Sequence, residues 1–308
     1  MSPLRPKFAI ALLLLILSLP ACQANTLTLA PASDPEPVIP ATPTLIMPIH
    51  PAASQTPTAI PSPTATQNAS QDFSSLASEL IEGVEWYILI QDAHNGEILF
   101  ERNPDIPFHP ASMIKIPTAM AVLSIMEDQG RTLEDLKTTG INDRNFDALL
   151  EAMVVHSEES AAGALEYFAR GDNQLRKKLD AWGLTNTKYD PRTSTATELV
   201  TSLRLLGTGK ALNQENTQFL LSLMGTYTEN DQILLGKFLN QLPDCAFFNK
   251  RGMMLAPTVV SDMGILTCGE QSWYLVLAGT PSINSTATFE DVQASIETFA
   301  EAFAKLVK

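Results

Sequence analysis

The chain has 308 residues, 45% of them hydrophobic and 18% charged, with a formal net charge of −14 and three cysteines. So acidic a balance argues against a nucleic-acid partner and against a basic membrane-binding face. No fixed-period repeat and no zinc-like His/Cys spacing occurs, so no metal and no cofactor is expected.

The N-terminus reads MSPLRPKFAIALLLLILSLPAC. Arg5 and Lys7 precede an apolar run from Phe8 to Leu19, too short to span a bilayer comfortably, and small Ala21 stands directly before Cys22. This is the layout of an export signal. It resembles the lipobox of bacterial lipoproteins, which implies a signal peptide over 1–21 and lipidation of Cys22; an ordinary signal peptide or a short anchor is the alternative. Residues 22–71 are rich in Pro, Thr, Ala and Ser and read as an extended tether. Residues 72–308 are enough for one good-sized core. The expected setting is extracytoplasmic, lipid-anchored to the bacterial cell envelope membrane.

SQDFSSLASELIEGV has apolar residues at helical spacing. EWYILIQDAHNGEILFERN is a hairpin, two β-rich runs around Asn-Gly, with His94 at its tip. SMIKIPTAMAVLSIMEDQG is a helix ended by Gly130. Further helices follow over DRNFDALLEAMVVHS, ESAAGALEYFAR, NQLRKKLDAWG, TATELVTSLRLLGTG, NQENTQFLLSLMG and TENDQILLGKFLNQL. Strands return with CAFFNKRG, TVVSDMGILTC and SWYLVLAGT, the first two separated by MMLAP, before a final amphipathic helix, TFEDVQASIETFAEAFAKLVK. Two early and three late strands most economically share one sheet. The expected fold is α+β: a five-stranded antiparallel sheet, terminal helices on one face and a helical insertion over about 111–240. Cys245 and Cys268 flank the late hairpin at nearly matching distances from its turn, as a cross-strand disulfide or as two buried thiols.

Three short patterns carry chemistry. Ser112 and Lys115 share a helix face, where an apolar setting lowers a lysine's pKa and the helix start favours developing negative charge. The same residues also read as a capping serine and a surface lysine. Ser157 lies between two helices and doubles as a cap. Lys250 and Gly252 end a strand, where glycine lets a ligand approach the edge.

In this order, Ser112-x-x-Lys115, then Ser157, then Lys250-x-Gly252 resemble the active-serine penicillin-recognising family, which includes class A β-lactamases and penicillin-binding D-Ala-D-Ala peptidases. ILFERNPDIPFHPASMIKIPTAM is similar to the approach to that family's nucleophile helix, and LLGKFLNQLPDCAFFNKRG to the run into its Lys-Thr-Gly strand. The resemblance implies the β-lactamase/transpeptidase-like fold. It makes Ser112 the acylated nucleophile, Lys115 an aid to proton transfer, and Ser157 a relay to the leaving nitrogen. Lys250 would hold the electrostatics around Ser157 and the substrate carboxylate, the N–H groups of Ser112 and Met253 would form the oxyanion hole, and Lys250, Arg251, Gly252, Met253 and Glu159 together would be the substrate-binding residues.

Three departures matter. The family's Ser-Asp-Asn is Ser157-Glu158-Glu159 here; Glu159 either pairs with Lys115 and holds it protonated, or is itself a base. Lys-Thr-Gly is Lys250-Arg251-Gly252, where Arg251 alternates away from its neighbours or, lying over the cleft, grips a carboxylate or blocks access. The family's Glu-x-x-Leu-Asn loop corresponds to LTNTKYDPRTSTAT, whose sole carboxylate is Asp190; the first glutamate is Glu198, inside the next helix. The expectation is a β-lactamase-like serine hydrolase acylated at Ser112 by a β-lactam or related cell-wall peptide, with slow deacylation. The alternatives are a penicillin-binding, D-Ala-D-Ala peptidase-like protein and a non-catalytic cell-envelope binding relative.

Overall fold

Asn95 and Gly96 reverse the chain between β1 (Val84–Asp92) and β2 (Ile98–Arg102), which pair antiparallel with a register shift at Ile90/Gln91. The structure, a computed structural model, describes residues 72–141, 143–169, 173–226 and 232–308. The signal over 1–21, Cys22 and the tether over 22–71 lie outside the described residues.

After β2 a 3-10 turn (Ala111–Ile114) leads into α1 (Lys115–Asp128). Then come α2 (Leu133–Thr138), the two-residue strands β3 (Gly140–Ile141) and β4 (Arg144–Asn145), α3 (Phe146–Val154), α4 (Glu159–Ala169) and α5 (Gln174–Ala181). A second small hairpin, β5 (Lys188–Tyr189) and β6 (Arg192–Thr193), precedes α6 (Ala196–Gly207), α7 (Gln214–Met224) and the single turn α8 (Gly236–Leu239). The chain closes with β7 (Cys245–Leu255), β8 (Thr258–Cys268), β9 (Gln271–Pro281) and α9 (Phe289–Leu306).

The sheet order is β2-β1-β9-β8-β7, antiparallel throughout, so the early hairpin is joined to the late strands at β1–β9. Trp86–Ile90 form a continuous buried run because both faces of the sheet are covered. The period of two divides them: Tyr87 and Leu89 join a core with the inserted helices, while Trp86, Ile88 and Ile90 join one with α9. α9 opens on a Thr288/Asp291 capping box and buries Val292, Ile296, Phe299 and Phe303 along one stripe. Lys115 through Met126 are all buried, which explains why α1 is apolar all round. Gly130 ends it in the left-handed region, φ +70°.

Several elements differ from expectation. Phe73–Glu79 is a 3-10 helix rather than an α-helix; three residues per turn stack buried Phe73 over buried Leu76. Within the described residues, the helix expected over TENDQILLGKFLNQL shrinks to Gly236–Leu239. The expected MMLAP spacer is mostly strand: β7 runs to Leu255, paired with Thr258, leaving Ala256-Pro257 as the turn. At the other end of that hairpin, directly opposed Cys245 and Cys268 form a disulfide, with S–S 2.07 Å and Cα–Cα 4.2 Å.

Candidate active site

The site is built where the start of α1 meets the face of β7 and β8. Ala111 adopts a left-handed conformation (φ 47°), and its N–H donates to His109 Nδ1 at 3.1 Å. That bond holds the bend presenting Ser112. A Cβ on Gly252 would lie 2.9 Å from the Ser112 nitrogen and 2.8 Å from the Pro110 carbonyl, so only glycine lets β7 come this close. Ser261 on β8 closes the seam, its hydroxyl donating to the Gly252 carbonyl at 2.8 Å.

Lys115 is fully buried, and its ammonium is the hub. Nζ donates to the Ser157 carbonyl at 2.7 Å and to Glu159 Oε1 at 2.5 Å, and its third N–H lies within reach of both Ser112 Oγ at 3.2 Å and Ser157 Oγ at 3.3 Å. Ser157 also sits in the left-handed region (φ 58°) between α3 and α4, which turns its carbonyl and hydroxyl to the same lysine. Burial pushes the Lys115 ammonium below its usual range and Arg192 adds to this; the hydrogen bond and charge of Glu159 oppose it without reversing it. Burial alone would raise the Glu159 carboxyl, but hydrogen bonds and charges from Arg192 and Lys115 bring it down to about 2. Glu159 is therefore a carboxylate held between two cations.

The second cation was not anticipated. Arg192 Nη2 donates to Glu159 Oε2 at 2.5 Å and Nη1 lies 3.4 Å from Oε1. Arg192 also donates to the Tyr189 hydroxyl at 3.1 Å and stacks 4.8 Å above that ring. His109 is held below its usual pKa by burial and then by Arg192, which favours the neutral imidazole. The segment that lacks the expected glutamate thus delivers an arginine. Asp190, its carboxylate, is exposed at the turn between β5 and β6. Glu198 is buried in the first turn of α6 and is occupied by the loop itself, accepting from Asn186 N at 2.8 Å and Thr187 Oγ1 at 2.7 Å. Glu158 pairs with Arg144 at 2.8 Å instead of with Lys115.

On β7, Lys250 is buried and shares the sheet face of Gly252, the face turned to Ser112. Met253 follows Gly252 along the strand. Arg251 lies on the opposite face, paired in register with Asp262 and flanked by Asn249, whose amide donates to Asp262 at 2.9 Å. Strand alternation therefore removes Arg251 from the cleft, correcting its placement among the substrate-binding residues. Asp262 is fully buried, and burial pushes its carboxyl up to about 7 against the opposing effects of Asn249, Arg251 and the Leu235 N–H. Neither Arg192 nor Tyr189 carried a sequence signal beyond a polar turn.

A five-stranded antiparallel sheet with terminal helices on one face, and a Ser-x-x-Lys turn wedged between sheet and inserted helices, defines the β-lactamase/transpeptidase-like fold. A family model described as the beta-lactamase enzyme family matches residues 68–302, and the chain belongs to that family. Among solved structures it is similar to TLA-3 extended-spectrum beta-lactamase, with TM-score 0.63 and 17% identity over 76% of this chain and 97% of that one. It is also similar to an ancestral class A beta-lactamase (TM-score 0.63, 21% identity, 75% and 98% covered) and to PBP-A (0.59, 19%, 76% and 97%). A D-alanyl-D-alanine endopeptidase of Pseudomonas aeruginosa is 29% identical over 133 residues, 38% of this chain and 43% of that protein, so the chain spans less than half of this relative's length.

Proposed function

We propose that the protein is an acyl-transfer serine hydrolase whose Ser112 opens a β-lactam amide or a related cell-wall peptide bond and then releases the acyl group slowly. The observation that carries this is the reach of a single buried Lys115 to both Ser112 Oγ and Ser157 Oγ. In the free-amine form Lys115 accepts the Ser112 proton as Oγ bonds to the carbonyl carbon. The N–H groups of Ser112 and Met253 receive the developing oxyanion. The C–N bond then breaks, the proton passes through Ser157 to the leaving nitrogen, and an ester on Ser112 remains. Water must cleave that ester with help from a base. Glu159, tied to two cations with its carboxyl near 2, is a weak one. Glu198 is occupied and Asp190 faces solvent. The export signal and Cys22 support placing this chemistry outside the cytoplasm on a lipid anchor.

Full-length protein mixed with penicillin is expected to gain a long-lived mass adduct on Ser112, absent in Ser112→Ala. No adduct together with no loss of penicillin would sink the acyl-transfer reading. Rapid loss of penicillin that requires Ser112 would instead overturn slow release. A second reading, a D-Ala-D-Ala peptidase-like protein, is supported by the endopeptidase relative and by a similar PBP-A variant described as an acyl-enzyme complex with penicillin G.

A further inference from the structure

We propose that Arg192 is a positioning residue for the nucleophile: it grips the Glu159 carboxylate, closely at Oε2 and more loosely at the Oε1 that Lys115 holds, limits how much of that carboxylate Lys115 can claim, and so sets how readily Lys115 accepts the Ser112 proton. The inference deepens the acyl-transfer reading and rests on it for its catalytic consequence, though not for its geometry.

Glu159 has two oxygens and two cationic neighbours. Oε1 lies 2.5 Å from Lys115 Nζ and Oε2 lies 2.5 Å from Arg192 Nη2. Without Arg192, the whole carboxylate charge would be free to settle on Lys115 and hold it as ammonium. With Arg192 in place the charge is shared, and the guanidinium also acts on Lys115 directly as a like charge, so both effects favour the free amine. A guanidinium suits this role because it stays protonated and its planar fork meets a carboxylate edge-on.

The arginine is held from behind. Tyr189 accepts from it and lies under it. The hairpin carrying both residues is fastened at its base by Thr187 against Ser194 at 2.8 Å, by Glu198 on Asn186 and Thr187, and by Arg176 Nη1 on the Thr187 carbonyl at 2.6 Å. A chain of contacts therefore runs from the first turn of α6 through the hairpin to Glu159, Lys115 and Ser112. The other titratable groups around this centre are His109 ahead of the 3-10 turn, Tyr189 on β5, Glu166 on α4, whose charge acts on Tyr189, and Lys250 on the sheet face turned to Ser112.

The test reads Lys115 itself. In full-length protein carrying isotopically labelled lysine, the Lys115 side-chain signal is assigned by its loss in Lys115→Arg and followed against pH. Arg192→Met should raise the Lys115 midpoint by about one pH unit or more, about a tenfold loss of free amine at a given pH. The pH profile of penicillin acylation should move to higher pH by the same amount. Arg192→Lys keeps the charge but loses the fork and should give a smaller rise. Tyr189→Phe should move the midpoint the same way by less, and it carries the test if thermal unfolding shows that Arg192→Met does not fold. An unchanged or lowered midpoint in the folded variants overturns the proposal. If the midpoint rises but penicillin never acylates Ser112, the link from Arg192 to Lys115 stands and the acyl-transfer reading falls.

Discussion

Replacing Glu159 by asparagine isolates the contact on which the chemistry turns. Glu159 has its carboxyl near 2 rather than 4.5, and each pKa unit corresponds to about 1.4 kcal/mol, so its neighbours favour its charge by about 3 kcal/mol. Two cations divide that sum. The side chain is also 58% exposed, so solvent screening removes roughly half of what remains. About 1 kcal/mol is left as the hold of Glu159 on the Lys115 ammonium, roughly fivefold in the free-amine fraction. Glu159→Asn should therefore speed penicillin acylation about fivefold near neutral pH and shift its rise with pH to lower values. The sign follows from the lysine: its pKa is raised by the carboxylate, and removing the carboxylate lowers it. Burst amplitudes and rates followed by quenched-flow mass spectrometry across a pH series would measure this. Slower acylation in the variant would refute the reasoning and make Glu159 the base.

Two further outcomes follow from the same geometry. Gly252→Ala puts a Cβ within 2.9 Å of the Ser112 nitrogen and 2.8 Å of the Pro110 carbonyl, so acylation should fall at least about tenfold while the rest of the fold persists; rate and circular dichroism together check this. Asp262 has its carboxyl raised to about 7 from 3.8, so the unfolded chain releases this proton first and its contribution to stability declines as pH rises from about 4 to about 7. Denaturant unfolding of wild type against Asp262→Asn should show the gap moving in favour of the variant across that window, and parallel pH curves would contradict it.

Local patterns were the legible part of the molecule. Ser112 and Lys115 are one helical step apart, and the same short spacing that marks them in the sequence brings their side chains together. β1, β8 and β9 were readable as long apolar runs, β2 from the Asn-Gly turn that ties it to β1, and the sheet could be assembled from the number and order of the strands. Phe73 and Leu76 fit either a 3-10 or an α-turn, and packing against α9 decided between them. Arg192 meets Glu159 across 33 residues, from a hairpin whose strands are two residues long and too short to show alternation. No periodicity could reveal it. Asp262 is similar: a lone acid in an apolar strand gives no hint that it will be fully buried against Asn249 and the N–H of Leu235, just ahead of α8.

The burial of α1 on every side has a consequence for how this site can change over time. Ser112 and Lys115 stand at one end of a helix packed among the inserted helices, so shifting either means repacking a core. Glu159 and Arg192, the proposed modulators of this pair, stand on the first turn of α4 and on a small two-stranded hairpin, outside that helix. The reactive pair is fixed by the interior, while its charge environment is written in the periphery. If the proposed acyl transfer holds, the fate of the acyl group is therefore open to change from these outlying residues, with Ser112 and Lys115 left in place.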